Sequence, residues 1–170
     1  QTVLLSLVIG LLGAIFAELL FKVSMWRSRL SFSGQLGSTF FFALCFTAIL
    51  YFCGPQTLGG GKAVIIDILK HPEVSNNPLL PVARVFGNFF TYISGVIGGI
   101  FAPSLASGAA IANWLSTELG FESLRTMILV GMVAFLSAVT RSPFTSFILV
   151  LEMTNSHEVV LYLMISAIAS

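Results

Sequence analysis

The sequence predicts an all-α fold embedded in a membrane, and three observations lead there. Hydrophobic residues make up 56% of the 170 and charged residues only 9%, with a mean hydropathy of +0.98. Soluble domains carry roughly 25% charged residues, so eight Lys/Arg plus seven Asp/Glu cannot coat a soluble body of this size. Apolar runs of membrane-spanning length open the chain, and later apolar runs too short to span are separated by Gly and Pro. A cytosolic enzyme is thereby excluded. The net charge of +1 leaves no basic stripe for nucleic acid.

Each element follows in order. About 20 mostly apolar residues cross a bilayer core. Residues 3–23 fit, with only Glu18 and Lys22 charged, four apart on one helix face. Lys22, Arg27 and Arg29 then mark an interface. Residues 36–53 form a second span, free of charge and rich in Phe. The two cysteines, Cys45 and Cys53, both lie in it and are expected as buried small apolar side chains, not a metal or redox pair. A polar stretch, 54–81, carries Pro55, Pro72, Pro78 and Pro81 as breaks, with a short non-spanning helix at 64–69. Residues 79–97 are apolar but hold Arg84 and Asn88, one helical turn apart, which should face protein or water and not lipid. After Gly98 and Gly99, residues 101–119 resume a helix with Pro103 near its start. Residues 124–139 follow and stop at Thr140-Arg141-Ser142-Pro143; the pieces 144–153 and 159–169 flank a polar turn. The chain starts at Gln1 with no basic leader and ends in an apolar run, so we expect a fragment of a longer membrane protein, truncated at both ends.

Helix breaks cannot face lipid, because their backbone groups would go unpaired; they must be buried in protein or line a wet cavity. Broken helices paired across two inverted halves are a transporter signature. No repeat occurs within these residues, which are expected to be one half of such a pair. The segment from Ser94 to Ser104 is the richest in chemistry. Gly98 and Gly99 permit unusual backbone angles, and Pro103 suits a first helical turn. The first N–H groups of a helix have no partner within it and carry the positive end of its dipole. Here they belong to residues around Ile100 to Ala102, with no cationic side chain beside them. That describes an anion site built from partial charges, which can release an ion that a Lys or Arg would hold.

Other readings stand beside this one. Gly-Gly and Pro can simply punctuate two packed helices, and the small residues Ala102, Ala106, Ala110, Ser104, Gly108 and Ala112 support close packing whatever the function. Gly59-Gly60-Gly61-Lys62 lacks the Gly and the Ser/Thr that a phosphate loop requires, having Gln56 and Ala63 there. Glu152, at the end of its short apolar run, is read as structural, and Arg141 as an interfacial anchor. His71 and His157 lie in polar turns at unrelated positions, so no metal set is expected. Met132, Met153, Met164 and the many Phe are packing or lipid-facing groups.

Gly99-Ile100-Phe101-Ala102-Pro103 matches the GxFxP signature of the CLC family of chloride channels and proton-coupled chloride antiporters. Pro55-Gln56-Thr57-Leu58-Gly59-Gly60-Gly61 resembles the family's Gly-rich loop upstream of that signature. Ala138 to Thr145, followed by Val150-Leu151-Glu152-Met153-Thr154, resembles its later R-x-P…LEMT stretch. Three motifs in the family's order, together with the apolar segments, cover almost the whole chain, so residues 1–170 resemble the C-terminal half of a CLC membrane domain.

The resemblance implies one inverted-repeat half with tilted and non-spanning helices. It implies chloride as the bound substrate ion, held by the amides of Ile100 and Phe101 in a loop shaped by Gly99 and Pro103. It also implies a missing N-terminal half that carries the Ser ligand and the gating and proton glutamates. A homodimer through 144–153 and 159–169 and a place in the plasma (inner) membrane complete the expectation. No cofactor, metal or catalytic residue is expected. The rival hypotheses are a non-conducting membrane scaffold or assembly subunit with the same fold, and an intramembrane enzyme, for which the needed Ser/Lys or His/Glu pairs are not evident.

Overall fold

The computed structural model describes residues 1–54, 59–72, 77–95, 98–121, 123–154 and 157–170. Pro55 to Leu58 of the Gly-rich loop, Val96 and Ile97 ahead of the GxFxP stretch, and Asn155 and Ser156 beside Glu152 lie outside them. The described residues form eight α-helices: α1 (Thr2–Ser28), α2 (Phe32–Cys53), α3 (Lys62–Lys70), α4 (Leu79–Ile93), α5 (Phe101–Glu118), α6 (Leu124–Thr140), α7 (Pro143–Thr154) and α8 (Val160–Ala169). A 3-10 turn, His157–Val159, leads into α8.

Two helices, α1 and α2, are long and apolar enough to cross a membrane. At 1.5 Å per residue, α7 and α8 reach only about 18 and 15 Å, half a bilayer core. Helix α1 buries a stripe of Leu5, Ile9, Gly13 and Phe16 against α6, the spacing of one helix face. Helix α2 buries nothing. It lies on the outer side of α4, where Phe42 stacks on Phe90 and Gly87 makes room for Phe46. Its other faces leave Phe32, Phe40 and Tyr51 at 73–84% exposure. A helix apolar all round needs lipid or further protein around it. Cys45 and Cys53 are consequently only partly buried free thiols, contrary to the buried pair expected from the sequence, because α2 has a neighbour on one side alone.

The core is the α5–α6 pair. Helix α6 is buried without a break from Met127 to Ser137, and α5 from Ser104 to Asn113. Both are enclosed all round: α1, α7 and α8 pack on α6, while α3 and α4 cover α5. The small residues let the two axes approach. A Cβ on Gly108 would lie 2.5 Å from the Gly131 carbonyl oxygen and 2.9 Å from Phe135 Cβ, and a Cβ on Gly131 would collide with Ala112. Hydroxyls join α8 to the same core: Ser166 donates to the Val130 carbonyl (2.9 Å) and Ser137 to the Ala167 carbonyl (3.1 Å). Helix α6 ends where Arg141 takes a left-handed conformation, φ 54°. It reverses the chain before Pro143, which cannot donate to a continuing helix.

Gly108→Ala forces α5 away from α6 and should lower stability by about 1–3 kcal/mol, read as a drop in the detergent-solubilised midpoint of thermal unfolding. Gly37→Ala on α2, where a Cβ meets nothing within 4 Å, should leave that midpoint unchanged or raise it.

Candidate functional site

The site is the junction between α4 and α5. Helix α4 closes at Ser94, and Gly95 turns left-handed, φ 81°, with its N–H on the Tyr92 carbonyl (3.1 Å). This turn position suits glycine for two reasons, backbone conformation and space, since a Cβ there would collide with the Arg27 guanidinium. Arg27 Nη2 donates to Thr39 Oγ1 (2.7 Å), and Thr39 donates to the Ser94 carbonyl (3.0 Å). The ends of α1, α2 and α4 are thus tied together just ahead of the Gly-Gly stretch. Gly99 is not among the residues with positive φ, and a Cβ on Gly98 or Gly99 would meet nothing within 4 Å. The chain entering α5 therefore borders open space.

Helix α5 starts without a side-chain cap. Ile100 occupies the cap position and its carbonyl accepts from Ser104 N–H (3.1 Å). A Ser, Thr, Asp or Asn at this position would place an oxygen on the free N–H groups of the first turn; isoleucine cannot. Among the described residues no hydrogen bond engages the N–H of Ile100, Phe101 or Ala102. Pro103 sits in the first turn and has no N–H to satisfy. Ile100 helps line a cavity of about 310 Å³ between α1, α4 and the end of α6, together with Ala17, Leu20, Tyr92, Ile93 and Val139. Phe101 is 43% exposed at the same helix end.

The first turn of α5 is pinned from behind. Asn88 Nδ2 donates to the Pro103 carbonyl (2.9 Å) and to Ser107 Oγ (2.8 Å). Asn88 and Arg84 are both buried, so the polar face of α4 looks into protein and not toward lipid, as their spacing suggested. The four sequence-selected residues Gly99, Ile100, Phe101 and Pro103 are thus contiguous at an uncapped, cavity-bordering helix start. Glu152, Arg141 and His71 are distant in the chain from it and exposed. Sequence reasoning missed Tyr92, whose hydroxyl is buried beside the cavity wall with no hydrogen-bond partner among the described residues. A Tyr within a Phe-rich helix carries no signal of its own. Chemically the arrangement offers N–H donors and a dipole end beside apolar walls.

Comparison with known proteins bears on this geometry. The family model described as voltage gated chloride channel matches residues 1–170. The H(+)/Cl(-) exchange transporter ClcA of Yersinia pestis bv. Antiqua (strain Angola) is 28% identical over 184 aligned positions, covering 98% of this chain and 37% of the relative. The transporter of the same name from Vibrio campbellii (strain ATCC BAA-1116) is 36% identical over 124 positions, 68% of this chain and 26% of that protein. The crystal structure of a CLC-type fluoride/proton antiporter superposes with a TM-score of 0.76 at 24% identity, covering 99% of this chain and 44% of that one. The chain therefore spans 37% of the length of the first curated relative.

Asn88→Ala removes both bonds to the first turn and should destabilise by about 1–3 kcal/mol. Asn88→Asp, which sets carboxylate oxygens against the Pro103 carbonyl, should destabilise more. Chemical unfolding in detergent, compared between the two variants, checks the order.

Proposed function

The chain belongs to the voltage-gated chloride channel family, and we propose that it supplies one half of an anion-conducting membrane domain, with chloride as the transported ion. The observation that carries this is the uncapped start of α5, with the N–H groups of Ile100 and Phe101 free at a helix end beside a cavity. A chloride arriving there exchanges water for backbone donors and the positive dipole end. The donors bear partial charges, so attraction is sufficient to draw the ion out of water and weak enough to let it leave. Gly99 leaves the approach open, and Pro103 sets the first turn without adding a competing donor. The relatives, an exchanger of chloride against protons and an antiporter of fluoride against protons, support an anion as cargo. No covalent step and no cofactor enter this mechanism.

The rest of the site lies, in this reading, in a preceding half of the same domain, which covers the open side of the α5 end. The proposed location is the plasma (inner) membrane. The proposed assembly is a homodimer through 144–153 and 159–169. Support for the dimer is the apolar outer face of α7 and α8, where Phe144, Leu161 and Ile168 are 70–77% exposed.

Phe101→Pro in the complete protein removes one donor at the first residue of α5. It should weaken chloride binding measured by calorimetry by about tenfold or more; unchanged affinity would contradict the amide site. Loss of chloride flux in proteoliposomes should accompany it, whereas a scaffold would show no flux to lose. Ile168→Glu should shift the complete protein from dimer to monomer in light scattering if α8 forms the interface.

A further inference from the structure

We propose that Arg84 is a fixed positive charge that raises the anion affinity of the α5 site, acting through space without touching the ion, in addition to the Arg27 guanidinium at the α4–α5 turn. This rests on the anion site proposed above. Arg84 is the largest fully buried side chain, at 1% exposure. Its Nη1 donates to the Gly59 carbonyl at 3.2 Å, and its Nε has no partner among the described residues. Among the described residues no carboxylate reaches it; the ion pair described is Glu18 with Lys22 on the exposed side of α1. Withdrawing a lone cation from water is strongly unfavourable unless an opposite charge is near.

Its place in the fold indicates what that opposite charge is. The turn Gly59–Gly61 lies between Arg84 and the first two turns of α5. A Cβ on Gly60 would lie 3.4 Å from Ala102 Cβ, and one on Gly61 would collide with Ala106 and lie 3.1 Å from Arg84 Nη1. Gly61 is left-handed, φ 80°, so glycine lets this turn pass between guanidinium and helix. One turn further along α4, Asn88 grips Pro103 and Ser107. The guanidinium thus sits beside α5 within about two helical turns of the free N–H groups, on the order of 10 Å. At that separation, with an effective dielectric constant of ~20, opposite unit charges attract by an amount equivalent to on the order of tenfold in affinity. The bound anion supplies a counter-charge that no described carboxylate gives Arg84. Distance keeps the ion mobile, because the donors it touches remain uncharged.

Chloride titration calorimetry on the complete protein tests this with Arg84→Gln, Arg84→Lys and Arg84→Met. Arg84→Gln should weaken chloride binding about tenfold, and Arg84→Lys should restore most of that loss. Arg84→Met, whose unbranched apolar side chain needs no buried partner, should weaken binding as Arg84→Gln does and remains readable if Arg84→Gln does not fold. Wild-type affinity in Arg84→Gln or Arg84→Met would overturn the inference, as would a Lys variant as weak as the Gln variant, which would mark Arg84 as a packing residue. Absence of chloride heat in the wild-type protein would instead overturn the anion-site reading on which it rests.

Discussion

An ion without its water must meet donors that are already in place, and in the proposed site those donors are the backbone N–H groups at the start of one helix. No side chain caps them, and a cavity lies alongside. A peptide dipole at a helix end attracts an anion with a fraction of an elementary charge. That fraction separates a passage from a trap. Most of the surrounding fold can be understood as a means of holding this helix end still and keeping it unsatisfied.

Stillness comes from close packing. Helices α5 and α6 meet through Gly108, Ala112 and Gly131, so their separation is fixed by backbone contact and not by adjustable side chains. Asn88 then pins the first turn of α5 to α4, and the Arg27–Thr39–Ser94 bonds pin the far end of α4. The free N–H groups persist because isoleucine occupies the cap position and proline follows in the first turn. Arg84 adds the long-range charge that dipoles alone lack, at a distance where it strengthens attraction without binding.

Much of this could be read from residues alone. Composition and apolar run lengths identified the membrane helices, and Gly, Pro and polar clusters identified their ends. The structure extends the expected first span from 3–23 to Thr2–Ser28, since Lys22 and Arg27 can lie on a helix that leaves the apolar layer. It ends α4 at Ile93, short of residue 97, because the left-handed turn at Gly95 closes it. The helix start at Ile100 and Phe101 was legible because Gly-Gly and Pro103 mark it locally. Tyr92, the grip of Asn88 on Pro103, and the isolation of Arg84 were not, because each depends on which helices become neighbours. The partial exposure of Cys45 and Cys53 was hidden for the same reason: an apolar run reads alike whether protein or lipid surrounds it.

The position of the ion decides the mechanism. Bromide replaces chloride and scatters anomalously, so crystals of the complete protein grown in bromide locate it directly. An anomalous peak within hydrogen-bonding distance of the Ile100 and Phe101 nitrogens is the result expected. Bromide elsewhere in the pathway with none at this helix end, or these two N–H groups occupied by protein carbonyls, would contradict it.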